Sequence, residues 1–305
     1  MKNTIVWGLV LGAMTAISCG TSKPAADSDA VSDSIPESPV FTENDGIFYY
    51  RIGNIEVYML VEAQREGNAG ILVGANEALL AQYIPQSGFS HSTNVFLVKV
   101  KGQTVLIDTG FGTTIFDKMK KLGVEPDQVN AVLLTHLHGD HIGGIQKDGT
   151  ALFPNAKVYL ASMEREYFTE LQVNAGAVAA LAPYSNKVIN FEPSWLGSKL
   201  SELIPGFFPI ASFGHTPGHT AYLVEDSGNK FLIAGDFLHV ALVQFPNPNI
   251  SATYDVDQKA AAASRRQIMD YAAQNNIPIG GMHMVYPGIG TVQAEGNGFK
   301  FTPAQ

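Results

Sequence analysis

Thr135-His136-Leu137-His138-Gly139-Asp140-His141 places four metal-ligating side chains within six residues of a chain that holds only eight histidines. The stretch follows the apolar run Ala131–Leu134, so it begins where a buried strand ends. Residues two apart in an extended segment point to the same side, which lets His136 and His138 bind one ion. Asp140 and His141 come next, where the chain turns toward Ile142-Gly143-Gly144, and they can face a second ion beside the first. Imidazole nitrogen and carboxylate oxygen are the ligands zinc takes in catalytic sites. A chance polar loop would not concentrate four such groups between two apolar segments.

Outward from this stretch, short apolar runs read as strands at 55–61, 94–100, 104–107, 157–160, 208–213, 221–225, 230–234 and 277–280. Turn residues at Lys101-Gly102 and Ser227-Gly228-Asn229 suggest hairpins. Helices are expected at 114–122, at 162–181 and at 256–274. The last would be capped by Asp255, with Arg265 and Arg266 on its exposed side. Hairpins mixed with helices imply sheets covered by helices on their outer faces.

The composition, 46% hydrophobic and 15% charged, suits a chain with a sizeable core. The net charge of −9 is concentrated upstream, because residues 20–46 carry six acidic groups against Lys23 alone. No basic cluster is long enough to track a phosphate backbone, which argues against nucleic acid as a substrate. At the N-terminus, Lys2, the apolar run Ile5–Ile17 and small residues around Cys19 read as an export signal occupying residues 1–18. Cys19 is the only cysteine, so no intrachain disulfide is possible. Ala16-Ile17-Ser18-Cys19 resembles a bacterial lipobox, which would make Cys19 a lipid anchor and the protein an exported or periplasmic lipoprotein. That anchor is the one membrane contact expected. Residues 19–46, rich in Ser, Asp, Ala and Pro, read as a flexible acidic tether, with the folded body at 47–305.

The sequence His136-Leu137-His138-Gly139-Asp140-His141 resembles the H-x-H-x-D-H signature of the metallo-β-lactamase superfamily. Asp108-Thr109-Gly110, Gly214-His215-Thr216-Pro217-Gly218-His219, Ala234-Gly235-Asp236 and Gly281-Met282-His283 resemble its other motifs. The resemblance implies a four-layer αββα sandwich, a mixed α/β fold with the site at one edge of the sheets. It assigns His136, His138 and His215 to a first metal and Asp140, His141 and His283 to a second. Asp236 would bridge them. Asp108 and His219 would stand behind the ligands and orient them. His239 could line the pocket or be structural, and His91, on a polar stretch, reads as solvated.

The cofactors implied are two divalent ions, zinc being the expected metal, and the catalytic carboxylates are Asp140 and Asp236. Such ions lower the pKa of a shared water toward neutrality. Two divalent charges, less two carboxylates and one hydroxide, leave a formal +1 suited to a developing oxyanion. Cys19 being the sole cysteine excludes the zinc β-lactamases with a cysteine ligand, and His138 argues against the flavo-diiron type. Residues 235–248 and 283–290 resemble methyl parathion hydrolase and its lactonase-like relatives. The expected activity is hydrolysis of a small-molecule lactone, aryl ester or phosphotriester. A glyoxalase II-like thioester hydrolase or a β-lactamase is the alternative, and a non-enzymatic metal-binding module is the further one. Phe237, Leu238, Val243, Phe245 and Pro246 suit an apolar substrate body, whereas Phe89, Trp195, Phe207 and Phe208 read as ordinary packing. Ser227-Gly228-Asn229-Lys230 matches S-x-x-K but sits in an expected turn without partner motifs. No sequence feature speaks to oligomeric state.

Overall fold

Two-residue alternation along the strands decides the architecture. Val57 and Met59 face one way and Tyr58 and Leu60 the other, and all four are buried. Strands buried on both faces must lie between two other layers, and that is the arrangement in the computed structural model, which describes residues 41–305. One sheet holds seven strands: β1 (Ile47–Ile52), β2 (Ile55–Glu66), β3 (Ser90–Val100), β4 (Gln103–Ile107), β5 (Ala131–Leu133), β6 (Lys157–Ala161) and β7 (Val188–Phe191), in that spatial order. The second sheet holds six: β8 (Phe207–Ala211), β9 (Thr220–Asp226), β10 (Asn229–Ile233), β11 (Ile279–Gly280), β12 (Ile289–Glu295) and β13 (Gly298–Pro303). Pairing is antiparallel from β1 to β4 and parallel from β4 to β7.

Val57, Met59, Phe96, Val98, Val105 and Ile107 of the first sheet pack against Tyr222, Val224, Phe231 and Ile233 of the second. The opposite face of the first sheet, with Leu60, Leu97, Leu106 and Val132, is covered by Ile115 and Met119 of the helix Ile115–Lys121 and by Ala177 and Leu181 of the helix Ala175–Leu181. Ile268, Met269 and Ala272 of the C-terminal helix Gln258–Asn275 cover Leu223 and Leu232 on the far side. Helix, sheet, sheet and helix thus form the four layers that the resemblance implies.

Several local expectations need correction. The helix expected at 162–181 is broken. An α-turn at Ser162–Glu166 runs into a π-turn at Tyr167–Leu171, and Asn174 then restarts the chain by accepting the Ala177 N–H at 3.0 Å. The C-terminal helix begins later than expected, because Asp257, not Asp255, accepts the Ala260 N–H at 2.9 Å. Arg265 is not on its exposed side but is 1% exposed. The final hairpin β12–β13 was not foreseen: beyond Val292 every residue of β12 faces solvent, so little apolar period marks it. Within the expected tether, Glu43–Asp45 forms a 3-10 turn, and Asp45 pairs with Lys121 at 3.0 Å. The proposed signal, Cys19 and the tether up to residue 40 lie outside the described residues.

The turn after the H-x-H-x-D-H stretch is held by close backbone approach. The Gly144 N–H donates to the Gly110 carbonyl at 3.1 Å, and a Cβ at Gly144 would lie 2.8 Å from the Gly112 Cα and closer still to the Thr109 carbonyl oxygen. Both obstacles are backbone and cannot swing aside. Gly144→Ala is therefore expected to cost about 2 kcal/mol or more, seen as a fall in Tm of at least roughly 4 °C. Gly139→Ala, whose Cβ would meet nothing within 4 Å, should unfold near the wild-type temperature. Equal Tm values for the two variants would contradict this packing account.

Candidate metal centre

Each strand end delivers one part of the site. The chain leaves β5 at Leu133 and runs through Leu134 and Thr135 to His136, all three fully buried. His138, Asp140 and His141 follow on the short turn Gly139–Ile142. His215 sits in the loop between β8 and β9, Asp236 just past β10, and His283 just past β11. Every residue assigned to a metal from the sequence is brought into this one place.

The ligand atoms converge on Asp236, which is 3% exposed. Five imidazole nitrogens surround its carboxylate: His283 Nε2 at 2.9 Å, His141 Nε2 at 3.3 Å, His215 and His239 Nε2 at 3.4 Å, and His136 Nε2 at 3.8 Å. His136 Nε2, His138 Nδ1 and His215 Nε2 form one tight set, with 3.0 Å between the first two and 3.1 Å between the last two. Asp140, His141 and His283 form another, with Asp140 Oδ2 3.7 Å from both Nε2 atoms.

The groups behind the imidazoles fix which nitrogen faces inward. His141 Nδ1 lies 2.7 Å from Asp108 Oδ2, His215 Nδ1 lies 3.0 Å from Asp255 Oδ1, and His283 Nδ1 lies 2.8 Å from the Ser92 carbonyl. Those partners accept, so each Nδ1 carries a hydrogen, and each Nε2 offers a lone pair whenever the ring is neutral. Thr135 gives its hydroxyl hydrogen to Asp108 at 2.6 Å, so His136 Nδ1, 3.0 Å away, must donate to it. With all the rings neutral, lone pairs would face lone pairs across Asp236, so protons or metal ions must lie between them. His141 Nε2 and Asp236 Oδ1 are buried without any hydrogen-bond partner. Such an arrangement calls for cations.

Charge tells the same story. Burial disfavours ionisation of Asp236, but His141 and His283 outweigh it and hold the carboxyl well below its ordinary range. Burial, with His215 adding to it, pushes His138 down to about 4, and burial, aided by His215 and His283, takes His239 to about 4 against the pull of Asp236. His138 and His239 are therefore neutral near pH 7, the form that binds metal. Burial opposes ionisation of His141 and His283 as well, but Asp236 and Asp140 outweigh it and raise both, so there a metal would take the place of a proton.

The remaining expectations divide. Asp108 stands behind His141, as the resemblance implies, with its backbone at φ 59°. His219 also stands behind a ligand, acting through that ligand's backbone. Its Nδ1 meets the Ser212 carbonyl at 2.9 Å and its Nε2 accepts the Asp236 N–H at 2.9 Å, so it sets the backbone of the central carboxylate. His239 lies beside Asp236 and could act as a ligand. His91 is not solvated. β2 and β3 continue past the main sheet, pairing Arg65 with His91, and the His91 ring stacks on His283 with centroids 4.6 Å apart. Polar residues 90–93 hid that strand extension from a reading based on apolar alternation.

Three functional side chains were missed in the sequence. Asp255, read as a helix cap, orients His215 instead. Glu164, fully buried, accepts from the Leu137 N–H at 3.0 Å, the Thr216 hydroxyl at 2.7 Å and the Gly218 N–H at 2.9 Å, tying the two histidine loops together. Burial pushes its carboxyl up to about 7. Arg265 is the third. No local pattern marks Glu164 or Arg265, since their partners are far away in sequence.

A cavity of about 560 Å³ opens onto the centre, lined by Arg65, His91, Phe111, Asp140 and Tyr254 among others. Beside it lies an apolar cavity of about 460 Å³ that shares His239 and His283 and includes Phe89, Leu242, Phe245 and Pro246. Phe89 therefore lines a cavity, contrary to expectation. Phe207 packs between the sheets, Phe208 packs behind the second one, and Trp195 is 52% exposed. Phe237, Leu238 and Val243 belong to the core and not to the pocket wall.

Comparison with known proteins agrees with this geometry. The chain is 30% identical over 131 residues to a hydroxyacylglutathione hydrolase of Francisella tularensis subsp. novicida, covering 42% of each chain. It is 30% identical over 162 residues to the probable metallo-hydrolase YflN of Bacillus subtilis, covering 47% of this chain and 60% of that protein. The chain thus spans about two-fifths to three-fifths of these curated relatives. Among solved structures, the hydrolase AbOPH of the beta lactamase superfamily superposes with a TM-score of 0.76 at 29% identity, covering 85% of this chain and 98% of its own. AidC, a dizinc quorum-quenching lactonase in complex with a product, shares the fold with a TM-score of 0.73 at 22% identity and the same coverage. The family model described as the metallo-beta-lactamase superfamily matches residues 90–276, more than half of the chain. The chain belongs to the metallo-beta-lactamase superfamily.

Proposed function

We propose that the chain is a binuclear, zinc-dependent hydrolase of ester-type bonds in small molecules: lactones, aryl esters or phosphotriesters. The observation that carries this reading is the pair of three-residue ligand sets that meet at one buried carboxylate. A structural zinc would use four closed ligands and would not need a second set. His136, His138 and His215 would hold one divalent ion and Asp140, His141 and His283 the other, with Asp236 between them. When bound, such ions supply Lewis acidity toward a carbonyl or phosphoryl oxygen and make hydroxide available near neutral pH.

The chain's own residues do the rest. Asp108, Asp255 and the Ser92 carbonyl hold three imidazoles in the tautomer that points Nε2 inward. His219 fixes the Asp236 backbone through its N–H. The apolar cavity next to His239 and His283 offers a place for an acyl or aryl body.

Two observations favour keeping a glyoxalase II-like thioester hydrolase as the second reading. One is the 30% identity to a hydroxyacylglutathione hydrolase. The other is that the cationic groups near the site are not confined to the C-terminal helix, since Arg65 lines the central cavity and Lys300 the apolar one. Glu66 and Glu295 accompany them in the respective linings, which weakens the attraction for an anionic peptide. The apolar cavity lining supports neutral esters as the first reading.

A zinc-loaded chain is expected to lose at least about 100-fold in kcat on His283→Ala, with a folded protein and one ion fewer by elemental analysis. Full turnover by that variant would overturn the two-ion assignment. In a substrate screen, neutral esters and lactones should exceed S-lactoylglutathione in kcat/KM. A tenfold preference for the thioester, about 1.4 kcal/mol, would replace this reading with the second one. We also propose that the chain is exported and anchored through Cys19. Mass spectrometry of the membrane fraction should find a lipid-modified Cys19 as the mature N-terminus, and a soluble protein with an unmodified Cys19 would refute it.

A further inference from the structure

Arg265 is 1% exposed, the largest fully buried side chain in the described residues. Burying a guanidinium costs several kcal/mol unless its donors are met. Here Nε donates to the Phe237 carbonyl at 2.6 Å, and Nη1 donates to the carbonyls of Pro248 at 2.8 Å and Ile250 at 2.7 Å. Nη2 makes no hydrogen bond and instead faces Asp255 Oδ2 as an ion pair at 3.6 Å.

Three of these partners, Phe237, Asp255 and Ile250, lead to the metal centre by a short path. Phe237 is bonded to Asp236, the carboxylate on which the ligand sets converge. Asp255 places Oδ1 3.0 Å from His215 Nδ1 and takes the Ala252 N–H on Oδ2 at 2.9 Å. The Ile250 carbonyl also receives Gln244 Nε2 at 3.0 Å, and Gln244 Oε1 holds the N–H groups of His239 and Val240 at 2.7 and 2.9 Å. One planar fork of donors therefore links the loop after β10 to the loop behind His215. A core strut could be built from Leu or Met at lower desolvation cost, but it would take the guanidinium donors from the Phe237, Pro248 and Ile250 carbonyls and the opposing charge from Asp255. Lys offers a point charge and cannot span this set.

We propose that Arg265 is a positioning residue for the metal centre. It holds Asp255 against His215 and the backbone of residue 237 beside Asp236, so that ligands of both ions keep a fixed separation. This rests on the two-ion reading above.

The test compares wild type, Arg265→Lys and Asp255→Asn, each titrated with Co²⁺ and with Zn²⁺ against a chromogenic chelator. The visible spectrum of the Co²⁺ form and the Tm without added metal are recorded alongside. Both variants are expected to bind the ions at least about tenfold more weakly and to show an altered Co²⁺ spectrum. Asp255→Asn touches His215 directly, so Arg265→Met, measured in the same way and keeping the stem without its donors, decides the matter if Arg265→Lys does not fold. An unchanged dissociation constant and Co²⁺ spectrum with only a lower Tm would show a plain core strut and overturn the proposal. A wild-type chain that takes up no Co²⁺ or Zn²⁺ would instead contradict the two-ion reading itself.

Discussion

A carboxylate sealed from water and ringed by imidazole nitrogens is stable only if something positive lies between them. Asp236 is in that position, with five such nitrogens within 4 Å of its oxygens. Four of these rings commit their Nδ1 hydrogens elsewhere, on Asp108, Asp255, Thr135 and the Ser92 carbonyl. The rest of the molecule can be understood as what it takes to hold that concentration of lone pairs in place. Four separate strand ends must arrive at one edge of a two-sheet core, and each arriving loop must be tied from behind.

The ties come from distant parts of the chain. Glu164, on the short helix after β6, clamps Leu137 to Thr216 and Gly218. Arg265, on the C-terminal helix, joins the backbone at 237 to the carboxylate behind His215. The helices that cover the sheets are thus also braces for the site. A buried charge in such a brace is costly in stability, yet it fixes geometry more narrowly than an apolar contact does.

The parts of this that were legible in the sequence are those written locally. The H-x-H-x-D-H stretch carries its own spacing, and the flanking motifs each end a strand with a recognisable turn, so every metal-assigned residue is found at the site. Both hairpin turns read from Gly102 and Gly228 are present, with Lys101 at φ 49° and Ser227 at φ 50°. What was not legible depends on tertiary pairing. His91 sits on a strand extension that exists because residues 63–66 pair with residues 90–93. Arg265 falls on a helix whose composition makes an arginine look solvent-facing, and only the loops folded over that helix bury it. Asp255 was placed in the right neighbourhood with the wrong task, because an aspartate before a helix has a common local use that Asp257, two residues on, already fills.

The central claim is that two ions sit on either side of Asp236. The most direct measurement is anomalous diffraction from crystals of the zinc-loaded chain, recorded above and below the zinc edge. The account predicts two peaks, one among His136, His138 and His215 and the other among Asp140, His141 and His283, each within bonding distance of Asp236. A single peak, or two peaks of which neither contacts Asp236, would contradict it.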